Sequence, residues 1–188
     1  GAIIISAGGR ETGKQGHEIE ADIKRAADKT GLRIIGPNCV GVIAAQARLY
    51  ATFTHQMPLP GRMAFISQSG ALIGAILDLS LKKQMGCSHF VSMGAMLDVD
   101  FGDIIDYLGN DPDVGSIVLY MEGLTHPRKF MSAARAVSRV KPIIVLKSGR
   151  SAAGAKAAAT HTGSMAGAGA IYDAAFSRAG VVPVETIE

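Results

Sequence analysis

Short apolar, β-branched runs alternate with longer helical stretches along most of this chain, and that alternation restricts its fold more than any other feature. Met63–Ser67, His89–Met93, Ile117–Met121 and Ile143–Lys147 each read as a strand with few polar residues. Between them, Ala71–Gln84, Asp103–Leu108 and Pro127–Val140 carry helical spacing. Strands apolar on both faces need cover on both faces, and parallel strands need crossovers long enough to hold a helix. The pattern predicts an α/β fold built on doubly wound parallel sheets.

The beginning of the chain follows the same rule on a smaller scale. Ala2–Ser6 reads as a strand, Glu18–Thr30 as an amphipathic helix and Leu32–Ile35 as a second strand, closed by Gly36-Pro37-Asn38. Residues 44–60 look irregular, with Pro58 and Pro60 marking a boundary, and a fresh unit begins at Gly61. The chain ends on a helix, Ala168–Ala179, and a short strand at Val181-Val182. The opening strand–helix–strand is too small to complete a nucleotide-binding half. Its start on a buried strand suggests a fragment of a longer protein, and no internal repeat is visible.

Composition removes several function classes. Apolar residues make up 48% and charged residues 19% of the 188, which argues for a folded chain. The longest apolar runs are too short to cross a bilayer, and no charged-then-apolar secretory segment opens the chain. Neither a membrane partner nor secretion is expected. Cys39 and Cys87 form no disulfide or zinc pattern, so a reducing cytoplasm is the expected location. The formal charge of +3 is scattered over helical faces, aromatics are 5% and tryptophan is absent. Nucleic acid is therefore not an expected partner, whereas small anions such as phosphates suit the chain better.

The candidate sites all follow strands. Lys147–Gly169 is a long run of small residues carrying one histidine, His161, a candidate nucleophile or proton carrier. Gly8–Lys14 matches a phosphate-binding loop except at its last position, where Gln15 replaces the hydroxyl that would hold Mg²⁺, so it reads as an ordinary turn. Ser67-Gln68-Ser69-Gly70 sets a helix start behind a strand, an arrangement that serves equally as an anion site or a plain cap. Glu122-Gly123 follows the strand ending at Met121, where a carboxylate is placed to orient an imidazole or to cap the next helix. Gly36-Pro37-Asn38-Cys39 is another such turn, and its thiol reads as a small buried apolar group. His17, His55, His89 and His126 read as surface or capping residues. One sheet edge would gather Glu122, the Ser69-Gly70 helix start and His161. A histidine beside a carboxylate and a helix N-terminus is what a transient phosphohistidine needs.

Five ordered motifs carry a family resemblance. They are Gly36–Ile43 (GPNCVGVI), Phe65–Leu72 (FISQSGAL), Leu119–Gly123 (LYMEG), Lys141–Arg150 (KPIIVLKSGR) and Thr160–Gly167 (THTGSMAG). They resemble the α part of the NDP-forming acyl-CoA synthetases, the superfamily of ADP-forming acetyl-CoA synthetase and succinyl-CoA synthetase. The resemblance spans essentially the whole chain. It implies that residues 1–45 are the C-terminal half of a Rossmann-like CoA-binding domain and 46–60 a linker. Residues 61–188 would then be a flavodoxin-like, succinyl-CoA-synthetase-type domain.

By the same resemblance, His161 matches the phosphorylated histidine and Glu122 the acid that contacts it. Ser69, Gly70 and Gly163 match phosphate-binding positions, and Asn38 and Cys39 fall on the CoA side. The implied reaction interconverts acyl-CoA, phosphate and ADP with acid, CoA and ATP through an acyl phosphate and a phosphohistidine. It implies a small carboxylic acid substrate, assembly into an oligomer, and ATP or ADP with Mg²⁺ on an ATP-grasp domain or β subunit that this chain lacks. The chain departs from the family pattern in two places: Ala95-Met96-Leu97 stands where Asn-Lys-Ala is usual, and Gly9 where an aromatic residue is usual. An alternative stays open, because related domains fused to protein lysine acetyltransferases sense CoA or acyl-CoA without catalysis.

Overall fold

A computed structural model describes residues 1–149 and 169–186 of the chain. Successive residues of its central strands go to opposite faces, and both faces are apolar. In Pro60–Ser67 (β5) and Ser116–Met121 (β7), Ala64, Ile66, Ile117, Leu119 and Met121 enter one core. Phe65 enters the other, with Met63, Val118 and Tyr120 packed against it. Helices cover both sides for that reason. Gly70–Lys82 (α2) brings Ile73, Ile76 and Leu77 to one face. Phe101–Asn110 (α3), Pro127–Val137 (α4) and Gly169–Ala179 (α5) bring Phe101, Ile105, Phe130 and Phe176 to the other.

The strands Cys87–Ser92 (β6), β5, β7, Ile143–Lys147 (β8) and Val182–Val184 (β9) lie side by side in that order, all parallel. The chain leaves β5 toward β6 on one side and returns to β7 on the other. The strand order therefore reverses between β5 and β7. Open parallel sheets offer a crevice at such a reversal, at the carboxyl ends of the strands. Three of these helix starts have a local cause. Ser69 caps α2, a reciprocal capping box between Asp100 and Asp103 opens α3, and Pro127 at the first turn opens α4.

One segment differs from the sequence expectation. Gly41–Ala44 (β3) and Leu49–Thr52 (β4) form an antiparallel hairpin, and β3 pairs antiparallel with the outer edge of β6. The stretch read as irregular thus contains β4, and the hairpin of β3 and β4 extends the larger sheet to seven strands among the described residues. The cause is burial on two sides. Val42 faces the first core and Ile43 the second, which only a position beside β6 provides. A four-residue strand opened by glycine is too short to announce itself by periodicity. Gly41 has φ 109°, and a Cβ there would collide with the Ala51 carbonyl.

The smaller sheet pairs Ala2–Ile3 (β1) with Ile34–Ile35 (β2) in parallel, with Lys14–Thr30 (α1) as the crossover. It is stitched to the larger unit by backbone. Ala95, Leu97 and Val99 donate to the carbonyls of Pro37, Gly36 and Ile34 at 2.8, 3.0 and 3.0 Å. The Asp98 carboxylate accepts from Ile34 N–H at 2.8 Å and from Arg33 Nε at 2.9 Å. Burial alone would raise its pKa, but those donors hold it below the ordinary carboxylate value.

Candidate functional site

The reversal between β5 and β7 gathers the residues on which the sequence places phosphate chemistry. Ser67 ends β5 opposite Tyr120, and the Gln68 N–H donates to the Tyr120 carbonyl at 3.2 Å. Gln68 then reaches across the gap. Its Oε1 accepts from the Glu122 N–H at 2.6 Å and the Gly123 N–H at 3.0 Å. Ser69 follows as the N-cap of α2, its hydroxyl accepting from Leu72 N–H at 3.4 Å. The buried Ser67 hydroxyl braces this turn, donating to the Ser69 carbonyl at 2.8 Å and accepting from the Ser69 N–H at 3.0 Å. The first amides of a helix have no partner within it. Those of Gly70 and Ala71 have no protein acceptor among the described residues. Ser69, Gly70 and Glu122 thus share one edge, with a half-open helix start facing the crevice.

The Gly36–Val40 turn lies against that helix start. Asn38 is exposed in a left-handed conformation at φ 57°, and its N–H donates to the Ser6 carbonyl at 3.0 Å. Cys39 is 4% exposed, and its Sγ donates to the Ile4 carbonyl at 3.3 Å. Burial pushes this thiol up, away from the thiolate form that a nucleophile requires. Val40 N–H donates to Ser92 Oγ at 3.0 Å. Its Cγ1 sits 2.9 Å from where a Cβ on Gly70 would stand. From the other side, Gly94 comes so close that a Cβ would collide with the Pro37 carbonyl. The turn is therefore clamped between the Ala95–Leu97 segment and α2.

The glycine-rich Gly8–Lys14 segment is no phosphate cradle. Its amides hold the protein's own carboxylates: Gly8 N–H donates to Glu11 at 2.7 Å and Arg10 N–H to Glu20 at 2.9 Å. The Arg10 guanidinium closes on the same buried Glu20 at 2.7 Å. A side chain on Gly9 would run into that carboxylate.

His89 departs from the surface reading. It sits on β6 at 8% exposure, and its Nδ1 has no hydrogen-bond partner among the described residues. Burial pushes its pKa below the ordinary value, partly offset by Asp111, whose carboxylate lies 3.9 Å from Nε2, and by Asp113. His126 precedes α4 and meets Asp100 at 2.7 Å through Nδ1, while His17 and His55 are exposed. His161 and Gly163 lie outside the described residues. Among the described residues there is no cluster of three metal-ligating side chains, and no helix is long and apolar enough to cross a membrane.

Gln68 is the residue that sequence reasoning missed. It stood in the motif between two serines, but its amide works on a turn 54 positions away. A strand order that makes β5 and β7 neighbours is the one signal that could have revealed the pairing.

Residues 60–188 match the family described as Succinyl-CoA ligase like flavodoxin domain. The chain belongs to the NDP-forming acyl-CoA synthetases. It is 46% identical over its full length to subunit alpha of acetate–CoA ligase [ADP-forming] II of Pyrococcus furiosus, covering 41% of that protein. It is 35% identical to the ADP-forming 4-hydroxybutyrate–CoA ligase of Nitrosopumilus maritimus, again along its whole length and covering 28% of that protein. Among solved structures, dinucleotide forming acetyl-coenzyme A synthetase 1 of Ca. Korarchaeum cryptofilum, in complex with phosphate and ADP, superposes with a TM-score of 0.94 at 42% identity. That match covers 99% of this chain and 40% of the other. This member of the family therefore spans about two fifths or less of the length of these relatives. The α/β fold with a mostly parallel central sheet is that of the family.

Proposed function

We propose that this chain is the part of an ADP-forming acid–CoA ligase that makes an acyl phosphate and hands its phosphoryl group on through His161. The observation that carries the reading is the β5/β7 crevice, where the open amides of α2 and the Glu122 turn are locked side by side by Gln68. A helix start supplies fixed positive potential for a phosphoryl group at no cost in reorganisation. Glu122 orients the imidazole and holds its proton. That the similar Korarchaeum structure was obtained with phosphate and ADP agrees with this use of the site.

In the ATP-forming direction, a phosphate oxygen attacks the thioester carbonyl and the CoA thiolate leaves, giving an acyl phosphate. The His161 ring nitrogen then attacks phosphorus, and the carboxylate of the acid leaves. An ADP oxygen takes the phosphoryl group from the histidine, forming ATP and restoring the ring. The nucleotide belongs to an ATP-grasp domain or β subunit, where Mg²⁺ would neutralise the phosphate charges. This chain supplies the earlier stations. Residues 1–45 carry the CoA side, with Asn38 at the exposed turn and buried Cys39 as a wall behind it. Residues 61–188 carry phosphate-binding Ser69, Gly70 and Gly163, and the segment 46–60 between them includes the second strand of the hairpin.

The substrate is a small carboxylic acid, and the enzyme works as an oligomer in the cytoplasm, where buried free Cys39 and Cys87 stay reduced. The test is labelling of the full-length protein with [γ-³²P]ATP and Mg²⁺. An acid-labile, base-stable label that is lost in His161→Ala supports the reading. Equal labelling and turnover in that variant would overturn it in favour of a CoA-sensing domain.

A further inference from the structure

Gln68 presents a second functional group besides the oxygen that ties the two turns. The N–H groups of Glu122 and Gly123 converge on one atom of its amide, at 2.6 and 3.0 Å. Only the oxygen of a carboxamide accepts, so the amide orientation is fixed by its partners. The NH₂ group is thereby turned away from the Glu122-Gly123 backbone. It has no hydrogen-bond partner among the described residues, although the side chain is half-buried. Two N–H donors of known orientation thus stand at the crevice, on the residue that is tied to the Glu122-Gly123 turn and directly precedes the Ser69 cap of α2.

We infer that the Gln68 side-chain amide is a direct hydrogen-bond donor to the phosphoryl group during its transfer. The inference rests on the phosphohistidine reading given above and adds a residue to it. Its chemistry follows from the site's charges. A phosphoryl group arriving beside the Glu122 carboxylate meets like charge, and donors on the opposite side must offset it. Backbone amides supply part of that offset from fixed positions. The Gln68 NH₂ adds donors whose aim is set by the two bonds to its oxygen, the preorganisation that makes a neutral donor effective in a transition state. A lysine or arginine would bind the anion more tightly in every state. A neutral amide stabilises charge without trapping the phosphorylated intermediate.

The decisive variant is Gln68→Glu, because it separates the two jobs. A carboxylate oxygen still accepts from the Glu122 and Gly123 N–H groups, so the turn remains tied and the unfolding midpoint stays close to that of the parent. The two N–H donors are gone and a like charge replaces them. In the full-length protein, histidine phosphorylation by Mg-ATP is expected to slow by about 10²–10³, as for a lost transition-state donor. The KM for inorganic phosphate rises alongside. Lowering the pH should restore rate to the variant relative to the parent, since protonation gives the new carboxyl an O–H donor; a purely structural role predicts no such recovery. Gln68→Ala loses the tie and the donor together, so it should be slow at every pH and less stable.

Parent-like phosphorylation in Gln68→Glu, with Gln68→Ala still slow, would overturn the donor role and leave Gln68 as a positioning residue. Absence of any His161-dependent label in the unmutated protein would instead overturn the phosphohistidine reading, and the donor with it. The two failures differ in which pair of proteins behaves alike.

Discussion

Replacing Gly70 by alanine places a methyl carbon 2.9 Å from Val40 Cγ1. Carbon atoms pack comfortably at about 3.5–4.0 Å, so one side must give by roughly 0.6–1.1 Å. Val40 is poorly placed to yield. Its N–H is held by Ser92 at 3.0 Å, its carbonyl accepts from the Thr52 hydroxyl, and a β-branched side chain has few alternative rotamers. Nor can Gly70 retreat without pulling α2 off its Ser69 cap. Overpacking of this kind costs about 1–3 kcal/mol, against a helix-propensity gain of at most ~1 kcal/mol on replacing glycine. The expected net loss is about 1–2 kcal/mol, or roughly 2–8 °C in midpoint for a chain of this length.

Thermal unfolding followed by circular dichroism measures that loss, and a double-mutant cycle assigns its cause. Val40→Ala removes the Cγ1 methyl that Gly70→Ala strikes. The double variant should then be more stable than the sum of the single losses predicts, by about 1 kcal/mol or more. Additivity within about 0.5 kcal/mol would refute the clash, as would a Gly70→Ala protein that melts with the parent.

Three further outcomes are expected. Glu122→Gln should slow histidine phosphorylation in the full-length enzyme by about 10² or more, and an unchanged single-turnover rate would remove Glu122 from the chemistry. Cys39→Ala should keep most of the turnover and mainly shift the KM for CoA, because its buried thiol is held away from the thiolate form; complete loss of turnover in a folded variant would contradict this. His89, held below its ordinary value of 6.5 by burial, costs nothing above that pH because it is neutral in both states. Below 6.5 the unfolded chain takes up the proton first, so stability falls until the pH reaches the lowered native value. His89→Phe should flatten the fall in midpoint between pH 7 and 5 expected of the parent, and parallel curves would show that His89 is not its source.

The alternation of Val/Ile runs with helices was enough to define the layers, because a strand buried on both faces leaves little freedom in what must cover it. Ile143–Lys147 matched to the residue, and other central elements shifted by a few positions at their ends. Features set by contacts distant in sequence were not legible. Val42 and Ile43 are two residues in a run of small ones, and only the vacant flank of β6 explains why they form a strand. His89 carries no local mark of burial, since its neighbours Ser88 and Phe90 fit a half-exposed strand equally well. At the site, the serine–glycine helix start was visible as a motif and Glu122 as a carboxylate after a strand. The glutamine joining them was not, because its role exists only once β5 and β7 are adjacent.

Two close approaches hold the Gly36–Val40 turn, one against the start of α2 and one against Gly94. Gly70 is small because Val40 is there, and Gly94 because the Pro37 carbonyl is there. Backbone packed this closely transmits displacement, since neither side has a flexible side chain to absorb it. The arrangement suits the chemistry proposed. Forming an acyl phosphate from a thioester requires the thioester carbon and the attacking phosphate oxygen to come within about 3–3.5 Å, which two independently mobile sites would rarely achieve. A shared wall fixes that separation in advance. It also makes the sites inseparable by mutation, so substitutions at Gly70 or Val40 should move the KM for CoA and the KM for phosphate together, whereas those at Gln68, on the far side of the helix start, should move the phosphate side alone.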